Sequence, residues 1–191
     1  MTKAQVRTAL LARRRAMTGA ERAEAAEAIA LHVLAMPAVV RARRVACYLS
    51  MPSEPGTAPT LAGLHERGIE VVVPVSLPGG TLDWAVHDPA GSFTVTPMGI
   101  AEPDGPRLGA DALAGCDVVL LPALAVDHAG HRLGRGAGYY DRALAATTAP
   151  LCAIVFTDEL LPEVPHEAHD VPVQMAVTPS GLFRVRPSRA T

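Results

Sequence analysis

Apolar residues recur at helical spacing in the first part of the chain and gather into short unbroken runs after it. Val6, Leu10 and Leu11 form a stripe that predicts a helix from Lys3 to about Met17, opened by capping-box spacing between Thr2 and Gln5. Thr18 and Glu21 repeat that spacing before a second predicted helix over residues 20–35. There Ile29, Val33 and Leu34 share one side, and Pro37 closes the helix. The run Val45-Ala-Cys-Tyr-Leu49 predicts a strand, followed by a Pro/Gly loop over residues 51–56. Thr57 is placed to cap a short helix that runs to Arg67 and ends at Gly68. Residues 69–74 predict a second apolar strand. Strand, helix and strand within about thirty residues make a βαβ unit, which implies parallel pairing and a right-handed crossover.

The middle of the chain is less regular. Residues 81–87, which include Trp84, predict a strand, and Gly99-Ile-Ala-Glu-Pro103 reads as a turn. Asp117-Val-Val-Leu-Leu-Pro122 has the fully apolar character of a strand buried in an α/β sheet. A glycine-rich loop follows, then a predicted helix over residues 139–146. Strands are predicted at 151–156, 175–178 and 182–185. No repeat, low-complexity tract or linker interrupts the chain. The pattern predicts one α/β domain over residues 1–191, with a mostly parallel sheet and helices on both faces.

Composition narrows the function. A chain of 191 residues, 49% hydrophobic and 19% charged, is expected to bury a sizeable core and not to be disordered. A net charge of −2 argues against a nucleic-acid binder driven by bulk positive charge. No apolar run approaches the ~20 residues that span a bilayer, and no secretory leader is expected at the N-terminus. Cys47, Cys116 and Cys152 lie far apart beside apolar runs, which predicts reduced core thiols and a cytoplasmic setting. Lys3 is the only lysine beside 16 arginines. The first 44 residues carry nine basic and three acidic side chains, suited either to a solvated face or to an anion.

The chemistry concentrates between Leu121 and Arg142. A buried strand ends near Pro122, and in open α/β sheets ligands gather at the carboxyl ends of strands. Glycines at 134, 136 and 138 let the backbone approach a ligand with its N–H groups turned towards it, and a helix N-terminus follows. Those features favour a phosphate. Arg132 and Arg135 add positive charge, and Asp141 is placed to hold a metal ion. Alternate glycines alone also fit an ordinary strand-to-helix turn. The loop is not a Walker A motif, because no Gly-Lys-Ser/Thr follows, and its spacing is not the dinucleotide fingerprint.

Other candidates read more simply. A zinc site among His128, His131, His166 and His169 has little support from loop spacing. Tyr48 and Trp84 read as packing residues, and Cys47 as core. Arg13, Arg14 and Arg15, with Arg41, Arg43 and Arg44, read as helix-end and solvated charges.

The stretch from Pro122 to Arg142 resembles the signature of the 5-formyltetrahydrofolate cyclo-ligase family, the methenyltetrahydrofolate synthetases. Four further segments resemble family motifs in order and spacing: Lys3-Ala-Gln-Val-Arg7, Tyr48 to Thr57, Gly99 to Pro103, and His169-Asp170-Val-Pro-Val173. The resemblance implies a single-domain, three-layer α/β sandwich of the NagB/RpiA/CoA-transferase-like kind. The reading is a monomeric or weakly oligomeric enzyme that uses ATP and Mg²⁺ to convert 5-formyltetrahydrofolate, polyglutamylated forms included, to 5,10-methenyltetrahydrofolate with release of ADP and phosphate, and no nucleic-acid or membrane partner is expected. By the same resemblance, ATP is bound by Lys3, Arg7 and the loop Arg132, Leu133, Gly134, Arg135, Gly136, Ala137, Gly138, Tyr139 and Tyr140. Folate is contacted by Arg7, Leu49, Glu54, Gly136 and Tyr139, and Mg²⁺ by Asp141 and Asp170. Arg132, Arg135 and Tyr139 are the implied catalytic residues. The chain departs from the family pattern at Ala137, Ala168 and Gln174.

The implied chemistry activates a formamide by phosphorylating its oxygen, and a neighbouring folate amine then closes the ring. Such a transfer needs positioning and charge neutralisation more than an acid–base pair. Glu54 suits the amino and ring N–H donors of a pterin, although a loop glutamate in water is the plain alternative. Two other readings compete. One is a non-catalytic nucleotide- or folate-binding member of the same fold. The other is an enzyme of sugar phosphates or CoA esters, for which no catalytic glutamate or sugar-phosphate loop is found.

Overall fold

The computed structural model describes residues 1–96, 99–136, 138–144, 147–167 and 170–185. Helices α1 (Lys3–Ala16) and α2 (Gly19–Leu34) both open on complete capping boxes, Thr2 with Gln5 and Thr18 with Glu21. Pro37 does more than close α2, because it occupies the first turn of a short helix α3 (Pro37–Val40). Strand β1 (Arg44–Ala46) leads through α4 (Ala58–Glu66) to β2 (Glu70–Leu77), with Val45 opposite Val71 in parallel register. This is the expected βαβ unit. Thr57 does not cap α4. Its hydroxyl donates to the Tyr48 carbonyl at 2.7 Å and accepts from the Ser50 N–H at 3.3 Å, so it ties down the loop that leaves β1.

Strand β2 outruns its predicted end because it forms a hairpin with β3 (Thr81–Val86), Pro74 facing Trp84 and Ser76 facing Leu82. The segment read as a turn holds a short strand, β5 (Ala101–Pro103), antiparallel to β4 (Phe93–Val95). Next come β6 (Val118–Pro122), β7 (Ala125–Asp127), β8 (Arg132–Leu133) and helix α5 (Tyr139–Leu144). The chain then forms β9 (Leu151–Ile154), β10 (Leu160–Leu161), β11 (Met175–Thr178) and β12 (Gly181–Arg184). The main sheet has the order β12-β11-β9-β6-β1-β2-β3, parallel from β11 to β2 with an antiparallel strand at each edge. The mixed α/β architecture, with a large and mostly parallel sheet, is as the pattern predicts.

Both faces of that sheet are covered. Ile29, Val33, Val39, Leu61 and Leu64 from α2, α3 and α4 pack on Val45, Val71 and Val118. On the other face Trp84, Leu113 and Leu144 pack on Val72, Val119 and Ala153. Leu113 belongs to an unanticipated 3-10 turn, Ala110–Gly115. Tyr48 and Trp84 are core residues, as their apolar neighbours predict. The cysteines are free and buried, and loss of hydration pushes Cys47 up to about 12 and Cys116 to about 11. Such thiols stay protonated and unreactive at neutral pH.

A smaller sheet, β10-β7-β8, was not legible from pattern because its strands are too short to show a period. It receives Val6 and Leu10 of α1 against Leu124, Leu133 and Val164. Arg14 continues that Val6–Leu10 stripe at i+4, and here the reading of Arg14 as a solvated charge is corrected. Its side chain is 2% exposed. It donates from Nε to Glu159 Oε1 at 2.7 Å, and from Nη2 to Glu159 Oε2 at 2.8 Å and the Ala123 carbonyl at 2.6 Å. The guanidinium also lies over the Phe156 ring, 5.4 Å from its centroid. Helical position decided burial, and Glu159 made burial of the charge tolerable. Arg13, Arg41 and Arg43 are solvated or half-solvated as expected, and Arg15 is exposed. Among the described residues, no helix is long and apolar enough to cross a membrane.

Candidate active site

The strand order reverses between β1 and β6: from β1 the chain crosses to β2 on one side, and from β6 to β9 on the other. The two carboxyl ends therefore diverge and leave a crevice, which is the usual ligand position in such sheets. A cavity of about 720 Å³ occupies it. Tyr48, Leu49, Met51 and Glu54 enter from the segment after β1, and Ala123 and Leu124 from the segment after β6. Every candidate site residue within the described set lines this one cavity. Ala137 and His169 lie outside the described residues.

One wall is the glycine loop. Gly136 and Gly138 have φ of 104° and 69°, backbone that only glycine adopts cheaply. Gly134 does not need that freedom, but its carbonyl accepts from Arg7 Nε at 2.9 Å. The Arg7 guanidinium thus lies over the loop, and a Cβ at position 136 would meet its Cζ at 3.3 Å. Helix α5, which starts here, is only six residues long in its described part, so its dipole adds little beside these cations.

Paired charges fix the rest of this wall. Arg132 is buried on β8 and donates from Nη2 to Asp141 Oδ1, while its Nε has no partner among the described residues. Arg135 donates from Nε to Glu54 Oε1 at 3.1 Å and from Nη2 to Ser53 Oγ at 3.0 Å. Glu54 is therefore not a loop glutamate in water; it is buried, and its Oε2 accepts from the Met51 N–H at 3.0 Å. Lys3 contacts Asp170 Oδ2 at 2.7 Å and Glu167 Oε1 at 3.0 Å. Burial pulls the Lys3 pKa down, but the hydrogen bonds to Asp170 and Glu167 outweigh it and hold it above the ordinary lysine value. Burial pushes the Tyr140 phenol well up, so it stays protonated.

The second wall comes from the sheet edge. Pro74 and Ser76 of β2, Leu82 of β3, Ile100 just before β5 and Glu102 within β5 line the same cavity. Sequence reasoning missed Ser53, Ser76 and Glu167, whose neighbours in the chain give no signal. It quoted Glu102 within a motif without giving it a role. His131 Nδ1 donates to Asp127 Oδ2 at 3.0 Å, its ring stacks on His166 with centroids 3.4 Å apart, and no group of three or more His, Cys, Asp or Glu that could hold a metal ion is found among the described residues.

Known proteins can now be set beside this geometry. A sequence model described as the 5-formyltetrahydrofolate cyclo-ligase family matches residues 1–179. The chain is 42% identical over 193 residues to a 5-formyltetrahydrofolate cyclo-ligase of Mycolicibacterium smegmatis, covering 97% of this chain and 98% of that protein. It is 33% identical over 177 residues to the Escherichia coli protein of the same name, covering 90% and 97%. The solved structure of an Aquifex aeolicus 5,10-methenyltetrahydrofolate synthetase superposes with a TM-score of 0.83 at 27% identity, covering 100% of this chain and 96% of that one. The Mycoplasma pneumoniae synthetase shares the fold, with a TM-score of 0.74 at 19% identity over 94% and 99% of the two chains. The capped helices, the βαβ unit, the glycine loop and these matches agree, and the chain belongs to the 5-formyltetrahydrofolate cyclo-ligase family.

Proposed function

We propose that the protein converts 5-formyltetrahydrofolate to 5,10-methenyltetrahydrofolate, with ATP as phosphoryl donor and release of ADP and phosphate. The observation that carries this reading is Arg7 seated over Gly134 and Gly136 in the crevice between β1 and β6. A formamide oxygen is a weak nucleophile and its carbon a weak electrophile. Transfer of the γ-phosphoryl group to that oxygen makes it a leaving group. The N10 amine then bonds to the formyl carbon, the C–O bond breaks as phosphate departs, and the departing phosphate takes the N10 proton. Nothing in this sequence requires a nucleophile or base from the protein. It requires alignment, neutralised charge and little water.

The residues suit those needs. Lys3, Arg7, Arg132 and Arg135, with the backbone N–H groups of the loop from Leu133 to Tyr140, would hold ATP and balance charge as the phosphoryl moves. Leu49, Glu54 and Tyr139 would shape the folate side, next to Gly136. The donor set fits Mg²⁺, a hard cation that is often held by one or two carboxylates and by phosphate oxygens. Asp141 Oδ2 has no donor among the described residues, and Asp170 lies on the same cavity. Bound there, Mg²⁺ would supply charge neutralisation at the phosphates. Purified protein mixed with 5-formyltetrahydrofolate, ATP and Mg²⁺ is expected to form a product with methenyl near-ultraviolet absorbance. Folded protein that forms none would overturn the activity and favour a non-catalytic binding role.

A further inference from the structure

Arg142 bridges the two walls at their rim. It sits in the last turn of α5, and its guanidinium donates from Nε to the Gly80 carbonyl at 3.0 Å and from Nη2 to the same oxygen. Gly80 belongs to the turn Pro78-Gly79-Gly80 that joins β2 to β3. Glycine fits there for two reasons: its φ is 79°, and a Cβ would meet Arg142 Nη2 at 2.5 Å. The guanidinium also borders the glycine loop, where a Cβ at Gly138 would meet Nη1 at 3.4 Å. The planar fork therefore lies between two glycines, one on each wall. Beneath it, Tyr139 and Ala143 of α5 join Leu82 and Trp84 of β3 in one apolar cluster. Arg142 itself is exposed and does not line the cavity.

Exposed arginines usually contribute little to stability and hold no fixed partner. Two donors on one backbone carbonyl are different, because they fix distance and angle together. That carbonyl belongs to the hairpin that carries Pro74, Ser76 and Leu82. The helix that holds the arginine starts in the glycine loop and carries Tyr139, Tyr140 and Asp141. The proposed reaction joins groups from two substrates held between these walls, so its rate depends on how the walls are spaced. We infer that Arg142 is a positioning residue for the phosphoryl transfer: it latches the glycine loop to the β2–β3 turn and so sets the distance between the two walls. The inference rests on the function proposed above. Arg142 acts through the loop and the turn, not by touching either substrate. Without the fork the apolar packing of α5 on β3 remains, so the fold persists, but the loop loses its fixed spacing from the hairpin.

Steady-state kinetics on the full chain test it with Arg142→Met, which keeps an apolar stem and removes the donors. The kcat is expected to fall about tenfold, with the KM for ATP and for 5-formyltetrahydrofolate each within about threefold of wild type. A residue with a structural role alone would lower the thermal midpoint and leave the kcat of the folded protein unchanged. The turn supplies an independent pair of variants. Gly79 and Gly80 have φ of 85° and 79°, so alanine strains both positions alike. A Cβ at 79 meets nothing within 4 Å, whereas one at 80 displaces the Arg142 fork. Gly80→Ala is therefore expected to lose about tenfold in kcat and Gly79→Ala less than about twofold, with similar falls in thermal midpoint. Adding Arg142→Met to Gly80→Ala should cost little more, since both changes break the same contact. Wild-type kcat in Arg142→Met, equal kcat in the two glycine variants, or multiplied losses in the double variant would overturn the role. If Arg142→Met does not fold, the two glycine variants decide. Wild type that turns over 5-formyltetrahydrofolate while the variants fail these tests refutes only the latch, whereas wild type with no turnover refutes the parent activity as well.

Discussion

The two walls of the cavity are built in opposite ways. The loop wall comes largely from one contiguous stretch, Arg132 to Asp141, and most of its charges are paired: Arg132 with Asp141, Arg135 with Glu54, Lys3 with Asp170. The sheet-edge wall is assembled from β2, β3 and β5, is mostly apolar, and holds a carboxylate, Glu102, that pairs with no cation among the described residues. The first arrangement suits a highly charged ligand that has to be gripped and released. The second suits a neutral heterocycle recognised by shape and one polar edge. The difference teaches that charge inventory alone does not describe a site, because Glu54 and Glu102 are similar in burial, yet among the described residues only Glu54 is paired with a cation.

The comparison predicts that backbone geometry dominates the loop wall. Gly136→Val is the largest expected effect: the branch would press on the Arg7 guanidinium at a φ that β-branched residues avoid. ATP binding should fall more than about a hundredfold, from lost approach and misplaced Arg7 together, while the fold survives. Calorimetric titration with ATP checks this, and unchanged affinity would remove the phosphate from this loop.

Next in size is the anchor beneath that wall. Helix α1 carries Lys3 and Arg7 at one end and the buried Arg14–Glu159 pair at the other. Arg14→Met leaves Glu159 buried without its cation and should cost about 3–5 kcal/mol. Adding Glu159→Met should recover most of that loss. Urea unfolding of the single and double variants measures both, and a double variant no more stable than the single one would show that the pair's charges were not the issue.

The smallest effect sharpens the picture of the loop wall's outer edge. Lys3→Arg keeps the charge but exchanges a compact ammonium for a planar fork in a site bounded by Asp170 and Glu167. The KM for ATP should rise about threefold, because the fork cannot follow both carboxylates and a phosphate equally well. Wild-type kinetics in this variant would mean that the lone lysine is a matter of composition only.

Much of this was legible beforehand. Capping boxes and apolar spacing located α1 and α2 because those signals are local, and the unbroken apolar runs located the buried strands for the same reason. The candidate loop was legible because its glycines, arginines and aspartate lie within eleven residues of each other, from Arg132 to Arg142. Short β7, β8 and β10 escaped, since two or three residues cannot display a period. Residue type misled at Arg14, where the helical stripe pointed inwards and only Glu159, 145 residues away, could make burial of the charge acceptable.

The sequence by itself determined the α/β class, the βαβ crossover, the inert cysteines and the glycine loop, because each follows from neighbours in the chain. The tertiary structure decided which charges are spent. Glu54 is partnered by Arg135 and Glu102 by the Ser76 N–H, which lie 81 and 26 residues away along the chain. Local pattern places a carboxylate in a segment, but its chemistry is set by the partners that folding brings within hydrogen-bond reach.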